Sequence, residues 1–326
     1  MMQARRSWLA GLAAAALAAM QPAPAAAQDF PASGRTLTIV VPWAPGGGVD
    51  VVMRMIEPML RDELGIPVQV SNTPGGGSQV GLTRCAAARP DGYTVCATSL
   101  PSTNVTYADA ERNAPYNQAS FIPLLTFAND VGSVIVKADS RFRTLQDLLA
   151  EARSNPGRLR VGNAGRLTNA HLDMLTAERA AGVRFAPVFF TGGAPAVTAL
   201  LGGHVDAVFS TPSNYMAQVR SGDVRVLGIM SEQPSALLPG VPTFRSAGVD
   251  ALGFSTRTLA VQAGTPPAAV ARLRDAVRKV VHVPGFAERL EQIGSEFMYL
   301  DAEATGALWT RVDADVRAAL AATRQN

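Results

Sequence analysis

Short β-branched runs alternate with longer stretches of helical periodicity along nearly the whole sequence, and the joints between them are rich in Gly, Pro, Ser and Thr. That alternation dictates parallel sheets: a strand apolar on both faces must be covered twice, and a parallel neighbour is reached through a crossover helix. Leu37 to Val41 is the first such run and stops at Pro42. Helical spacing follows through Val52, Ile56, Met59, Leu60 and Leu64, and Gly65 ends it. Pro58, inside that helix, is expected to kink it, because its ring clashes with the carbonyl one turn back. Strands are expected at Val68 to Val70 and Thr94 to Thr98, with a helix near Ser78 to Ala88 and the turn Pro90-Asp91-Gly92 between.

After Phe121 the same pattern restarts, as if a second lobe were inserted. Val134 to Val136, Leu159 to Val161, Pro187 to Phe190, Val205 to Phe209 and Val224 to Ile229 read as strands. Thr144 with Asp147 three residues on predicts a capped helix start. Phe254 to Val261 then leads into two or three amphipathic helices that begin after Pro266-Pro267. The expected architecture is α/β, with 28–125 plus 255–326 as lobe 1 and 126–254 as lobe 2. The chain passes between them near Phe121 to Asp130 and Phe254 to Val261, and two crossings make a hinge.

The first residues point to export. Arg5 and Arg6 precede an apolar run from Trp8 to Met20, shorter than the roughly 20 residues a membrane span needs, and Ala25 and Ala27 offer an AxA cleavage site. Residues 1–27 are thus expected to be a signal peptide, cleaved after Ala27, which places the mature chain in the periplasm. Taking Arg5 and Arg6 from the net charge of +3 leaves +1 on the remaining 299 residues, without the basic, aromatic-laced stripe of a nucleic-acid binder. The two cysteines, Cys85 and Cys96, lack metal-ligand spacing. Cys85 falls on a helix and Cys96 on the next strand, so after export they form either a disulfide or two buried thiols.

The joints carry the chemistry. Trp43-Ala44-Pro45-Gly46-Gly47-Gly48-Val49-Asp50 links the first strand to the first helix, where glycines allow close approach to a ligand and the helix start offers free N–H groups. No GK[ST] follows, and GxGxxG spacing is missing, so a nucleotide is a poor guest. Similar joints recur at Pro74 to Gln79, Gly162 to Thr168 and Thr191-Gly192-Gly193-Ala194-Pro195. Four such turns, two per lobe, would aim helix starts into one cleft at the carboxyl ends of the strands, a place for an anionic ligand.

In their order, VPWAPGGGVD, NTPGGGSQVG, PDGYT, FTGGAPAVTALLGGHVDAVF, LPGVPTF and AGTPP resemble the Bug/TctC receptors of tripartite tricarboxylate transporters over nearly all of the mature chain. The resemblance implies a periplasmic-binding-protein-like Venus flytrap of two Rossmann-like lobes, no catalytic centre, no cofactor and no metal. It implies a carboxylate, amino acid or aromatic acid as ligand, a membrane permease as partner, and a monomer. By position it implies Pro45, Gly47, Gly48 and Asp50 in the first ligand loop, Gly77 and Ser78 in the second, and Ser99 after the third strand. In lobe 2 it implies Gly165, Thr168 and His171, then Thr191, Gly192 and Ala194, then Asp206. His171 also reads as a packed helix histidine, and Asp206 as a loop anchor. Arg166-Leu167 replaces the family's usual small pair, and Thr256-Arg257 stands where a Trp is frequent. Arg166 and Arg257 either clamp a carboxylate or serve as a surface charge or a lobe-to-lobe ion pair.

A sensory module that shows its closed form to a signalling partner would use the same fold. A secreted hydrolase is disfavoured, since the chain has no GxSxG elbow and only three histidines.

Overall fold

A computed structural model describes residues 30–324, so the expected signal peptide lies outside the described residues. Strands β1 to β4 are Leu37–Val41, Val68–Asn72, Thr94–Thr98 and Phe121–Val131; β5 to β9 are Ser133–Lys137, Arg160–Asn163, Ala186–Phe189, Ala207–Ser210 and Val224–Ile229. Strands β10 and β11 are Phe254–Gln262 and Glu296–Leu300. Helices α1 to α3 are Gly48–Leu64, Gln79–Ala86 and Ser102–Ala108, and α4 to α7 are Leu145–Ser154, Asn169–Ala181, Gly193–Leu201 and Met216–Ser221. Helices α8 to α10 are Pro267–Val281, Phe286–Gln292 and Ala302–Arg324.

Two separate sheets result, ordered β11-β4-β10-β3-β1-β2 and β7-β6-β8-β5-β9. Each has three parallel strands, β2-β1-β3 and β7-β6-β8, followed by an antiparallel strand, β10 or β5. The expected double lobe is present, and its cause is visible strand by strand. Leu37, Ile39 and Val41 face the core under α1, α8 and α9, while Val40 between them faces the core under α2, α3 and α10, the period of two that buries both faces. In the second lobe α4 and α5 cover one face of the sheet and α6 the other.

Local signals hold where they rest on backbone chemistry. Gly65 ends α1 at φ 67°, its N–H returning to the Arg61 carbonyl, and Thr144 and Asp147 form the reciprocal cap of α4. Helix α1 runs on through Pro58 without a break. A disulfide joins Cys85 on α2 to Cys96 on β3, which settles the alternative that the sequence left open.

The passage between lobes differs from the expected 125/126 division. Strand β4 stays paired with β10 as far as Val131↔Phe254, because the two long strands satisfy each other's backbone groups, and the chain changes sheet at Gly132. The return is at Gly253, whose carbonyl accepts from the Gly132 N–H at 3.0 Å. Both crossings must be glycine here, since a Cβ on Gly132 or Gly253 would lie 2.4 or 2.2 Å from the Asp173 carboxyl. Burial pushes the pKa of Asp173 well above the ordinary carboxylate range.

Candidate functional site: a closed cleft between the lobes

Chain joints at the carboxyl ends of β1, β3, β6 and β8 meet across one cleft, as expected for open α/β sheets. The lobes meet around a partly open cavity of about 30 Å³. From lobe 1 it is lined by Trp43, Gly47, Gly48, Val49 and Ser99, and from lobe 2 by residues including Asn169, Ala170, Gly193, Thr211 and Asn214. Three helix starts therefore border it: α1 at Gly48, α5 at Asn169 and α6 at Gly193. The Gly48 N–H donates to Asn214 Oδ1 at 2.7 Å and the Asn169 N–H to Ser102 Oγ at 2.7 Å, each bond crossing from one lobe to the other. No intramolecular acceptor among the described residues takes the next N–H in each helix, that of Val49 or Ala170, so both remain available to an anion.

A buried polar chain runs along the floor. Ser99 Oγ and Ser255 Oγ are 2.8 Å apart, and Arg257 donates from Nη1 to Ser255 Oγ and from Nη2 to Ser213 Oγ, both at 2.8 Å. Arg257 also forms an ion pair with Asp130, whose carboxylate further accepts from Ser213 and Ser295. Both charges are fully buried, so the pair persists because each member is matched and hydrogen-bonded. Arg257 lines the cavity, yet both of its Nη atoms are spent on protein groups and only Nε has no partner.

Of the residues expected from sequence, Gly47, Gly48, Ser99 and Arg257 line the cavity. Pro45, Thr191 and Gly192 belong to two loops that meet beside the cavity, and Ala194 to the first turn of α6; the Ala44 N–H donates to the Thr191 carbonyl across the cleft, and Gly192 packs on Ala44. Gly77 and Gly165 meet at a second cross-lobe contact, where a Cβ on Gly165 would stand 3.2 Å from the Gly77 Cα. The Ser78 hydroxyl is buried there without a partner. Thr168 Oγ1 donates to the Gly165 carbonyl and holds its own loop.

Three of the expected residues, Asp50, Asp206 and His171, do not line the cavity, and the last two take the packing and anchoring roles that the sequence also offered. Asp50 does not line the cavity: burial works to raise its pKa, but its carboxylate accepts from Arg54, the Gly46 N–H and Asn72, which together hold the pKa below the ordinary value and make it the brace of the first loop. Asp206 is bound to the Arg160 backbone and guanidinium at the amino ends of β6 and β8, the side away from the cleft. His171 accepts from the Leu167 N–H through Nδ1 at 2.9 Å and meets Phe189 edge-on. Burial first, then the charges of Arg166 and Arg112, push its pKa down to about 4, so it is a neutral structural acceptor.

The polar residues Asn169, Ser210, Thr211, Asn214 and Ser255 line the cavity but carry no glycine-rich signal. What could have revealed them is position alone: each stands at a strand end or helix start on the cleft side.

Two α/β lobes on a double-crossing hinge, shut on a polar cavity ringed by helix starts, define a solute-binding protein of the Venus-flytrap class. The chain belongs to the tripartite tricarboxylate transporter family receptors, whose family model matches residues 52–313. A relative from Cupriavidus necator, the UPF0065 protein in the gbd 5′ region, is 33% identical over 300 residues, covering 92% of this chain and 90% of its own. Among solved structures, MatC of Rhodopseudomonas palustris with bound malate is 26% identical with a TM-score of 0.82, over 89% of this chain and 100% of that one. A TctC solute-binding protein from Polaromonas without ligand is 29% identical with a TM-score of 0.63, over 90% of this chain and 99% of that one.

Proposed function

We propose that the mature protein captures a small carboxylate-bearing solute in the periplasm, as a monomer, and presents the closed form to the membrane subunits of a tripartite transporter. The observation that carries this reading is the convergence of the α1 and α5 starts, with the free N–H groups of Val49 and Ala170, on one closed cavity. Helix dipoles and desolvated amides favour an anion without any neighbouring formal charge. The serine and threonine hydroxyls of the floor and far wall then orient the rest of the guest, as few well-placed polar groups do in ligand sites. Because Arg257 is already paired with Asp130, it steadies the floor and offers the ligand at most its Nε–H. The malate held by MatC supports a dicarboxylate as guest. Residues 1–27 serve as the leader that delivers the chain to this compartment.

A ligand that binds only the folded protein raises the melting temperature by mass action, by about 2.7 kcal/mol of stability at one hundred times Kd. A thermal-shift screen of residues 28–326 against mono-, di- and tricarboxylates, amino acids and aromatic acids is expected to give a concentration-dependent rise for at least one acid. A flat response to every acid would reject the reading.

A further inference from the structure

The loop between β6 and α5 does more than approach the cavity. Arg166 reaches from lobe 2 to Asp109 at 3.5 Å and Glu111 at 3.4 Å in lobe 1. Arg112 of lobe 1 reaches back, donating to the Arg166 carbonyl while its other Nη holds the Gly76 carbonyl at 2.6 Å. Gln79 Nε2 donates to the Arg112 carbonyl at 2.8 Å and keeps that arginine's backbone in place. Beside them Leu167 takes φ 58°, a left-handed conformation that costs a branched side chain free energy, and packs against the lobe 1 core cluster of Leu82, Leu100 and Trp309. The neutral His171 holds the strained turn by accepting the Leu167 N–H. Two residues on, Asn169 and Ala170 line the cavity itself.

We propose that Arg112, Arg166 and Leu167 form a latch across the cleft mouth, which favours the closed arrangement independently of the ligand. It touches no part of the cavity, so it changes how long the lobes stay shut and leaves the choice of guest unaffected. The contacts of Arg166, of Leu167 and of Arg112 with the Arg166 carbonyl exist only when the lobes meet, so their free energy biases closed over open. Half-exposed ion pairs are individually weak and screened by salt, whereas the apolar Leu167 contact is not. The latch builds on the solute-capture reading but can be tested without any ligand.

The test is the distance distribution between spin labels, one on α4 and one on α8, measured by electron paramagnetic resonance on the full mature chain without added acid. Wild type is expected to show a measurable closed fraction. Arg166→Glu is expected to reduce it at least about threefold, and Leu167→Gly to reduce it likewise, by removing the apolar contact. Glu111→Arg combined with Arg166→Glu is expected to restore part of the loss, the share carried by the Glu111 pair, which a general disturbance of folding would not do. A wild-type chain that is fully open, or distributions that these substitutions leave unchanged, would overturn the latch. Should the acid screen fail while the latch variants open the protein, the solute-capture reading falls and the latch stands.

Discussion

At the scale of single residues, the ionisable side chains beside the cleft hold the frame. His171 is the plainest case. Its pKa of about 4 in the folded protein lies below the ordinary 6.5, so the unfolded chain binds the proton more readily. The stability this contributes is complete above pH 6.5 and is lost as the pH falls towards 4. Chemical denaturation from pH 7 to 4.5 should therefore show wild type losing on the order of 3 kcal/mol that His171→Gln, which keeps an acceptor for the Leu167 N–H, does not lose. Arg257 and Asp130 give a second test, because an orphaned buried charge costs more than a missing pair. Arg257→Met alone should destabilise by about 3–5 kcal/mol, and Arg257→Met with Asp130→Asn by clearly less, as read from denaturation midpoints.

At the scale of elements, the start of α1 is the part where fold and function can be pulled apart. Gly48 has no left-handed backbone requirement, but a Cβ there would stand 2.0 Å from Ser213 Oγ of the other lobe. Gly48→Ala is thus expected to leave the ligand-free melting temperature within about 2 °C while weakening acid binding tenfold or more, because only the closed form carries the clash. Adding Ser213→Ala should recover part of the affinity, as checked by calorimetric titration. The disulfide between α2 and β3 acts on the unfolded state instead, closing a loop of 11 residues' separation. Cys85→Ala with Cys96→Ala is expected to lower stability by about 2–3 kcal/mol in denaturant titrations, with ligand affinity for the folded protein unchanged. Elements of this kind were legible because they rest on local rules. Strands β1, β3 and β9 begin and end where alternating apolar runs do, and Gly65, Thr144 and Asp147 mark helix ends through backbone hydrogen bonds.

At the scale of the whole molecule, the double lobe and its gathered glycine loops follow from the repeated strand-turn-helix order, and the exact residues at which the chain changes sheet do not. The expected division at 125/126 falls inside β4 because nothing local marks the passage; Gly132 is needed only because Asp173, forty-one residues later, fills the space beside it. The cavity walls show the same limit. Asn214 caps a helix that starts 166 residues earlier in the chain, and Ser213 joins an ion pair whose members are 127 residues apart. A lone Ser or Asn in a turn reads as turn chemistry until the fold brings its partner to it. Asp206 takes the anchoring alternative, a carboxylate near a glycine pair that the fold places at the end of its strand away from the cleft.

The proposed capture asks of the guest a negative charge placed at two helix starts, and that demand is open to a direct measurement. Calorimetric titration of the mature chain with its best acid, and with the amide that replaces one carboxylate by a neutral group of the same shape, compares the two at one pH. The predicted result is saturable binding of the acid with a Kd in the micromolar range and at least about a hundredfold weaker binding of the amide. Equal affinity for the two, or saturation by the amide alone, would contradict it.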